Sequence, residues 1–189
     1  MQNLRVEYWQ RLREINPDDL VFIDEMGMNL SLCRTHARSL QGQRAYSANH
    51  YKGKNISVIG AIALQGFLGC MTIEGSTDSD VFRVFVEQIL VNCLWPGAVV
   101  VMDNLSAHKR ADIQLIIEQT GAQVIYLSPY SPDFNPIENC WSKLKQYLRS
   151  VTARSRDALE EALVTAVDLI TLKDLINWLT HCCYCTIQS

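Results

Sequence analysis

Three acidic residues have the type and placement for metal chemistry: Asp24 closes Leu20-Val21-Phe22-Ile23, Asp103 closes Ala98-Val99-Val100-Val101-Met102, and Glu138 follows Asn135-Pro136-Ile137. Both aspartates end short apolar runs rich in β-branched residues, the pattern of buried strands. A carboxylate just past a strand's carboxyl end lies where open α/β sheets build their sites. Glu138 falls in the first turn of a helix opened by Pro136 and capped by Asn135, where the helix dipole favours negative charge by about 0.3–1 kcal/mol. Each residue also has a plain structural explanation, as a turn cap or a helix-end charge. Together they imply more, because three converging carboxylates repel one another unless a divalent cation neutralises them. Mg²⁺ prefers carboxylate oxygens and keeps several waters. Two such ions about 3.5–4 Å apart stabilise the attacking and leaving oxygens of an in-line phosphoryl displacement. No side-chain nucleophile is then required.

The elements that must position these groups are legible as periodic patterns. Residues 4–15 place Leu4, Val6, Trp9 and Leu12 at helical spacing, and Pro17 stops that helix. Strands are expected at 20–23, roughly 44–48, 56–64, 67–73, 98–102 and 123–127, with a hairpin turn at Gln65-Gly66. Ser76, Thr77 or Asp78 caps a helix running to about Cys93, and another runs from about His108 to Thr120. Three prolines within 128–136 preclude regular structure there. The helix after them carries Ile137, Trp141, Leu144 and Leu148 on one face. Glu138, Ser142, Lys145 and Arg149 share a different face. Two further helices follow, near 156–170 and 172–182. The order predicts an α/β fold: a mixed sheet, antiparallel first and parallel later, flanked by helices.

At 189 residues, 48% of them hydrophobic and 20% charged, the chain suits one globular domain. Its parts read as an N-terminal helix over 1–19, a carboxylate-bearing core over 20–150 and C-terminal helices over 151–189. No apolar run approaches the ~20 residues of a membrane helix, and the charged first residues lack a signal peptide's apolar stretch, so the expected location is the cytosol. Seven cysteines without a secretory signal are expected as thiols. Cys182, Cys183 and Cys185 beside His181 lack the paired spacing of a structural zinc site. The net charge of −3 is low for a nucleic-acid binder, yet its distribution is uneven. No acidic residue separates Glu25 from Glu74, an interval holding Arg34, Arg38, Arg44, Lys52 and Lys54. Lys143, Lys145, Arg149, Arg154 and Arg156 form a second basic set. Either set is a candidate for phosphate contact or simply a solvated face.

VFIDE at 21–25, VVMDNLSAHK at 100–109 and SPYSPDFNPIENCWSKLK at 128–145 resemble the three catalytic blocks of a DDE transposase, of the bacterial insertion-sequence branch of the mariner superfamily. The 34 residues between Asp103 and Glu138, Gly42-Gln43-Arg44, and the ending Asn177-Trp178-Leu179-Thr180-His181-Cys182 resemble it too. The resemblance covers nearly the whole chain. It implies an RNase H-like fold and Asp24, Asp103 and Glu138 as ligands of two Mg²⁺ ions, with Mn²⁺ as a substitute. It implies DNA end cleavage by water, then strand transfer by a DNA 3′-hydroxyl, with action as a homodimer on paired transposon ends. Asn104 and His108 are implied near the site, as DNA contacts or as supports of the ligands, with Lys109 beside them; His108 is equally read as a helix-entry residue. Full-length members carry an N-terminal helix-turn-helix that recognises transposon ends. Nothing here supplies it, since about 19 residues precede the first strand.

Other readings fare less well. Leu20-Val21-Phe22-Ile23-Asp24-Glu25 resembles a Walker B strand, but no G-x-x-x-x-G-K-[ST] loop accompanies it. An aspartyl-nucleophile phosphatase wants a second aspartate where Met26 stands. A non-catalytic transposase relic or adaptor that binds DNA or a partner, and a different RNase H-like nuclease, remain open.

Overall fold

The computed structural model describes residues 2–34, 36–46, 53–105, 108–129 and 131–185, with side chains from Arg5 onward. Five strands form one sheet: β1 (Leu20–Met28), β2 (Ile56–Ala63), β3 (Gly66–Glu74), β4 (Val99–Met102) and β5 (Gln123–Tyr126), in the order β3-β2-β1-β4-β5. β1 pairs antiparallel with β2, and β2 with β3. β1 and β4, then β4 and β5, pair in parallel. The expected mixed sheet is therefore present. Residues 44–46 form no strand, and 47 and 48, the rest of the expected strand there, lie outside the described residues.

β1 is longer than its apolar run. Asp24, Glu25 and Gly27 are poor strand formers, yet β2 pairs with every residue from Val21 to Met28. Tertiary pairing overrides propensity here. Asp24 accordingly lies inside β1, not past its end.

Helices cover both sheet faces, and strand alternation separates two apolar layers. Phe22, Val101, Val58 and Ile62 pack with Ile137, Trp141, Leu144 and Leu148 of α4 (Pro136–Val151). Val21, Ile23, Val100 and Met102 pack with Phe82 and Phe85 of α2 (Ser79–Gln88) and Ile113 and Ile117 of α3 (Ala111–Glu118). Asp78 caps α2, accepting from the amides of Asp80 and Val81. α1 (Gln2–Leu12), α5 (Arg156–Asp168) and α6 (Leu172–His181) complete the layer on the α4 side. Cys70, Cys93, Cys140, Cys182, Cys183 and Cys185 are thiols. Among the described residues no helix is long and apolar enough to cross a membrane.

α6 begins with a capping box in which Thr171 and Asp174 satisfy each other's amides. Lys143 of α4 donates to Asp174 Oδ2 at 2.6 Å and to the Leu169 carbonyl at 2.8 Å. Lys143, with help from Thr171, holds the Asp174 carboxyl down at about 2. Because the folded value lies below the unfolded one, this contribution is complete above the ordinary carboxylate range and is lost as pH falls toward 2. Asp174→Ala is expected to cost about 1 kcal/mol near pH 7. In urea unfolding the difference from wild type should shrink below pH 3 and persist at pH 7.

Candidate active site

Registry of the parallel pair explains why two distant aspartates meet. Leu20, Val21 and Phe22 pair with Val99, Val100 and Val101. Continuing by two residues sets Asp24 beside Asp103, on neighbouring strands about 4.8 Å apart. β4 stops at Met102, so Asp24 stands where its parallel neighbour ends. Asp24 is in phase with Phe22 and Asp103 with Val101, so alternation turns both toward α4. Glu138 sits in the first turn of that helix. All three carboxylates line one cavity of about 510 Å³, with Asn104, Ser128 and Asn135 among the other wall residues.

Asp24 is clamped from below. Trp141, 1% exposed, donates its indole N–H to Asp24 Oδ2 at 3.2 Å. This approach needs Gly60, the residue paired with Asp24 across the antiparallel ladder. A Cβ at Gly60 would lie 2.6 Å from Trp141 Cη2. Gly60→Ala must displace Trp141 and with it α4. The expected cost is about 1–3 kcal/mol of stability, read by urea unfolding; an unchanged midpoint would show that the helix yields freely.

The charge balance is unfavourable as it stands. Burial, reinforced by the like charges of Glu138 and Asp103, pushes the Asp24 carboxyl up to about 7, against the opposing hydrogen bonds from Glu25 and Trp141. One cation answers this cluster from within. His108, 2% exposed, places Nδ1 at 2.5 Å from Asp103 Oδ1 and Nε2 at 3.3 Å from Glu25 Oε1. Burial alone would lower its pKa, but the bonds to Asp103 and Glu25 prevail and raise it to about 9. An imidazolium bonded to Asp103 and Glu25 offsets only part of the negative charge of Asp24, Glu25, Asp103 and Glu138. The donor set is oxygen-rich and anionic, which suits Mg²⁺ or Mn²⁺. Among the described residues no group of three or more His, Cys, Asp or Glu side chains is drawn together as a metal-holding cluster; the three carboxylates share the cavity wall instead.

The loop into α4 is held from outside the sheet. Arg5 of α1 pairs with Asp133 at 2.6 Å, bonds Ser131 Oγ at 3.0 Å and lies over the Phe134 ring. Tyr184 donates to the Phe134 carbonyl at 2.7 Å and is itself bonded to Tyr8 at 2.6 Å.

Other expected contacts distribute unevenly. Arg34, Arg38, Arg44 and Lys109 are exposed, Lys145 and Arg149 half-exposed. Lys145 and Arg149 lie on α4 beyond Glu138. Lys54 is engaged with Glu74, and Lys52 lies outside the described residues. Lys143 and Arg156 of the second basic set are engaged in internal ion pairs. Asn104 lines the cavity. His108 corrects one expectation, since it lies three residues before α3 begins at Ala111; it is buried, and its bond to Asp103 is that of a support for a ligand. Asn135 corrects a second, since it occupies the N-cap of α4 without a side-chain capping bond.

Sequence reasoning missed Gly60 and Glu25. A glycine within the apolar run Val58-Ile59-Gly60-Ala61-Ile62 does signal close approach. Nothing local marks Glu25, whose partner His108 is 83 residues away.

The profile of the DDE superfamily endonuclease family matches residues 19–160, which contain all three carboxylates. No curated protein sequence matches. Among solved structures, the Mos1 strand transfer complex superposes with a TM-score of 0.76 at 14% identity, over 95% of this chain and 56% of that one. A mariner Mos1 paired-end complex with Mg gives 0.73 at 15% identity, over 95% and 58%. The catalytic domain of the Mos1 mariner transposase gives 0.65 at 13% identity, over 95% and 84%. The chain thus spans little more than half the length of the proteins in the two complexes, and at these identities the likeness is one of fold, RNase H-like. With a profile match across most of its length, this chain belongs to the DDE superfamily endonuclease family.

Proposed function

We propose that the chain is the catalytic domain of a transposase of the bacterial insertion-sequence type, cutting DNA and joining a 3′-hydroxyl to target DNA by Mg²⁺-dependent phosphoryl transfer. The observation that carries this reading is the single cavity lined by Asp24, Asp103 and Glu138, with Asp24 driven up by burial and by the other two. When bound, a pair of divalent ions supplies charge neutralisation at the attacking and leaving oxygens. The chain supplies geometry. Asp24, Asp103 and Glu138 are the residues that would hold the ions. Trp141 fixes the Asp24 carboxylate, and protonated His108 fixes that of Asp103. Glu138 rides on a helix whose apolar face is locked into the core. Lys145 and Arg149, further along α4, suit a DNA backbone leaving the site, and Arg34, Arg38, Arg44 and Lys109 add positive surface. Asn104 faces the reacting groups from the cavity wall. Recognition of transposon ends is not assigned to residues 1–189, and catalysis belongs to a homodimer on paired ends, in the cytosol at the nucleoid.

The test is nicking of supercoiled plasmid with Mg²⁺ or Mn²⁺. Wild type should produce open circles, EDTA should stop it, and Asp103→Asn should reduce the rate about 10³-fold, the equivalent of roughly 4 kcal/mol of lost transition-state stabilisation. Equal nicking by Asp103→Asn, with an unchanged circular dichroism spectrum, would refute the assignment.

A further inference from the structure

An asparagine at a helix N-cap ordinarily gives its side-chain oxygen to the second or third amide of the helix. Asn135 does not. Its Oδ1 is buried without a partner, in a residue 3% exposed. Ser128 Oγ, in a residue 6% exposed, and Asn104 Oδ1 are buried in the same condition. All three residues line the cavity of Asp24, Asp103 and Glu138. Among the described residues only one other buried side-chain oxygen or nitrogen lacks a partner, Thr77 Oγ1. Native chains leave few buried polar atoms unpaired. Three on one wall indicate that something outside the chain completes their bonds.

The chemistry of the wall restricts what that is. Amide oxygens only accept hydrogen bonds, and a hydroxyl accepts readily. A phosphate brings no donor and would face three carboxylates. A ligand that fits must carry several O–H or N–H donors and positive charge. A hydrated divalent cation has both, and Mg²⁺ keeps several waters when carboxylates bind it.

We propose that Asn135, Ser128 and Asn104 grip the hydration shell of a divalent cation seated at Asp24, Asp103 and Glu138, accepting hydrogen bonds from waters that the carboxylates do not displace. This rests on the reading of those carboxylates as a metal site. Asn135 thereby gives up its capping role to serve the cavity, and its place three residues before Glu138 fixes both to the same helix turn. They are positioning residues: they orient waters, and through them the cation.

The test is Mn²⁺ binding to the full chain without DNA, followed by electron paramagnetic resonance. Wild type should bind, and Asp103→Asn should lose binding. Ser128→Ala/Asn135→Leu, which removes two acceptors and no charge, should bind about 10-fold more weakly, as loss of an outer partner does elsewhere. Ser128→Ala alone deletes one hydroxyl and should shift affinity in the same direction; it keeps the test intact if the leucine disturbs folding. Hexaamminecobalt(III), which offers N–H donors and exchanges no ligand, should displace Mn²⁺ from wild type and do so poorly from the double variant. Equal Mn²⁺ affinity in wild type and both variants would overturn this inference while leaving the carboxylate site standing. No Mn²⁺ binding by wild type would remove both.

Discussion

Trp141→Ala should cost about 3–5 kcal/mol in urea unfolding, the range for emptying a fully buried aromatic site. The indole is 1% exposed and joins α4 to the sheet at the one strand position, Gly60, that has no side chain to hold it off. It also meets the Phe67 ring edge-on at 6.4 Å. Gly60 cannot supply atoms to refill its volume. For a domain whose total stability is about 5–15 kcal/mol, such a loss leaves little margin. Trp141→Phe separates packing from chemistry. It keeps an aromatic ring in the site, deletes the N–H that Asp24 accepts, and gives up the part of the bicycle that lies over Gly60. Its unfolding midpoint should fall far less than that of the alanine variant, while Mn²⁺ affinity drops because the Asp24 carboxylate loses its orienting partner. A Trp141→Ala variant within 1 kcal/mol of wild type would show that α4 is held elsewhere.

Asp24→Asn should do the opposite to the metal-free protein. At pH 8 the Asp24 carboxyl is ionised in a buried place beside Glu138 and Asp103, with a folded pKa near 7 against an ordinary value of 3.8. Because the folded value lies above the unfolded one, the ionisation penalty builds from about pH 3.8 upward and is complete above about pH 7. Removing the charge while keeping an oxygen for Trp141 to bond is expected to raise stability in EDTA, by at most about 4 kcal/mol at about 1.4 kcal/mol per pKa unit. Saturating Mg²⁺ should erase or reverse the gain, because it stabilises only the chain that can hold it. Nicking should be lost in both conditions. Such a trade of stability against activity is the mark of a site kept under strain. A destabilised Asp24→Asn protein in EDTA would mean that the carboxylate is already neutralised from within the fold.

These outcomes follow from features of unequal visibility in the sequence. The apolar runs that lead into Asp24 and Asp103 and the proline-opened helix were readable because apolar runs and Pro136 are local signals, although β1 continues past Asp24. The pairing of Asp24 with Asp103 was not, since register depends on how β1 and β4 align. β1 ran on to Met28 because β2 lies against it, a contact that propensity does not encode. Trp141 was legible as core packing, but its N–H bond to Asp24 crosses 117 residues. Surface cations were the least legible. Lys54, Lys143 and Arg156 look equivalent to Arg34 or Lys145 in composition, yet they are engaged with Glu74, Asp174 and Glu160. His108 shows the same ambiguity in reverse: its place in VVMDNLSAHK suggested a contact at the site, and burial beside Phe82, 4.0 Å ring to ring, made it a support of Asp103.

The most direct measurement is anomalous diffraction from crystals of the chain grown with Mn²⁺, collected at the manganese edge. The account predicts strong peaks in the cavity among Asp24, Asp103 and Glu138, absent from crystals of Asp103→Asn. Saturating Mn²⁺ with no peak at those carboxylates, or peaks only at surface acids such as Asp18 and Glu14, would contradict it.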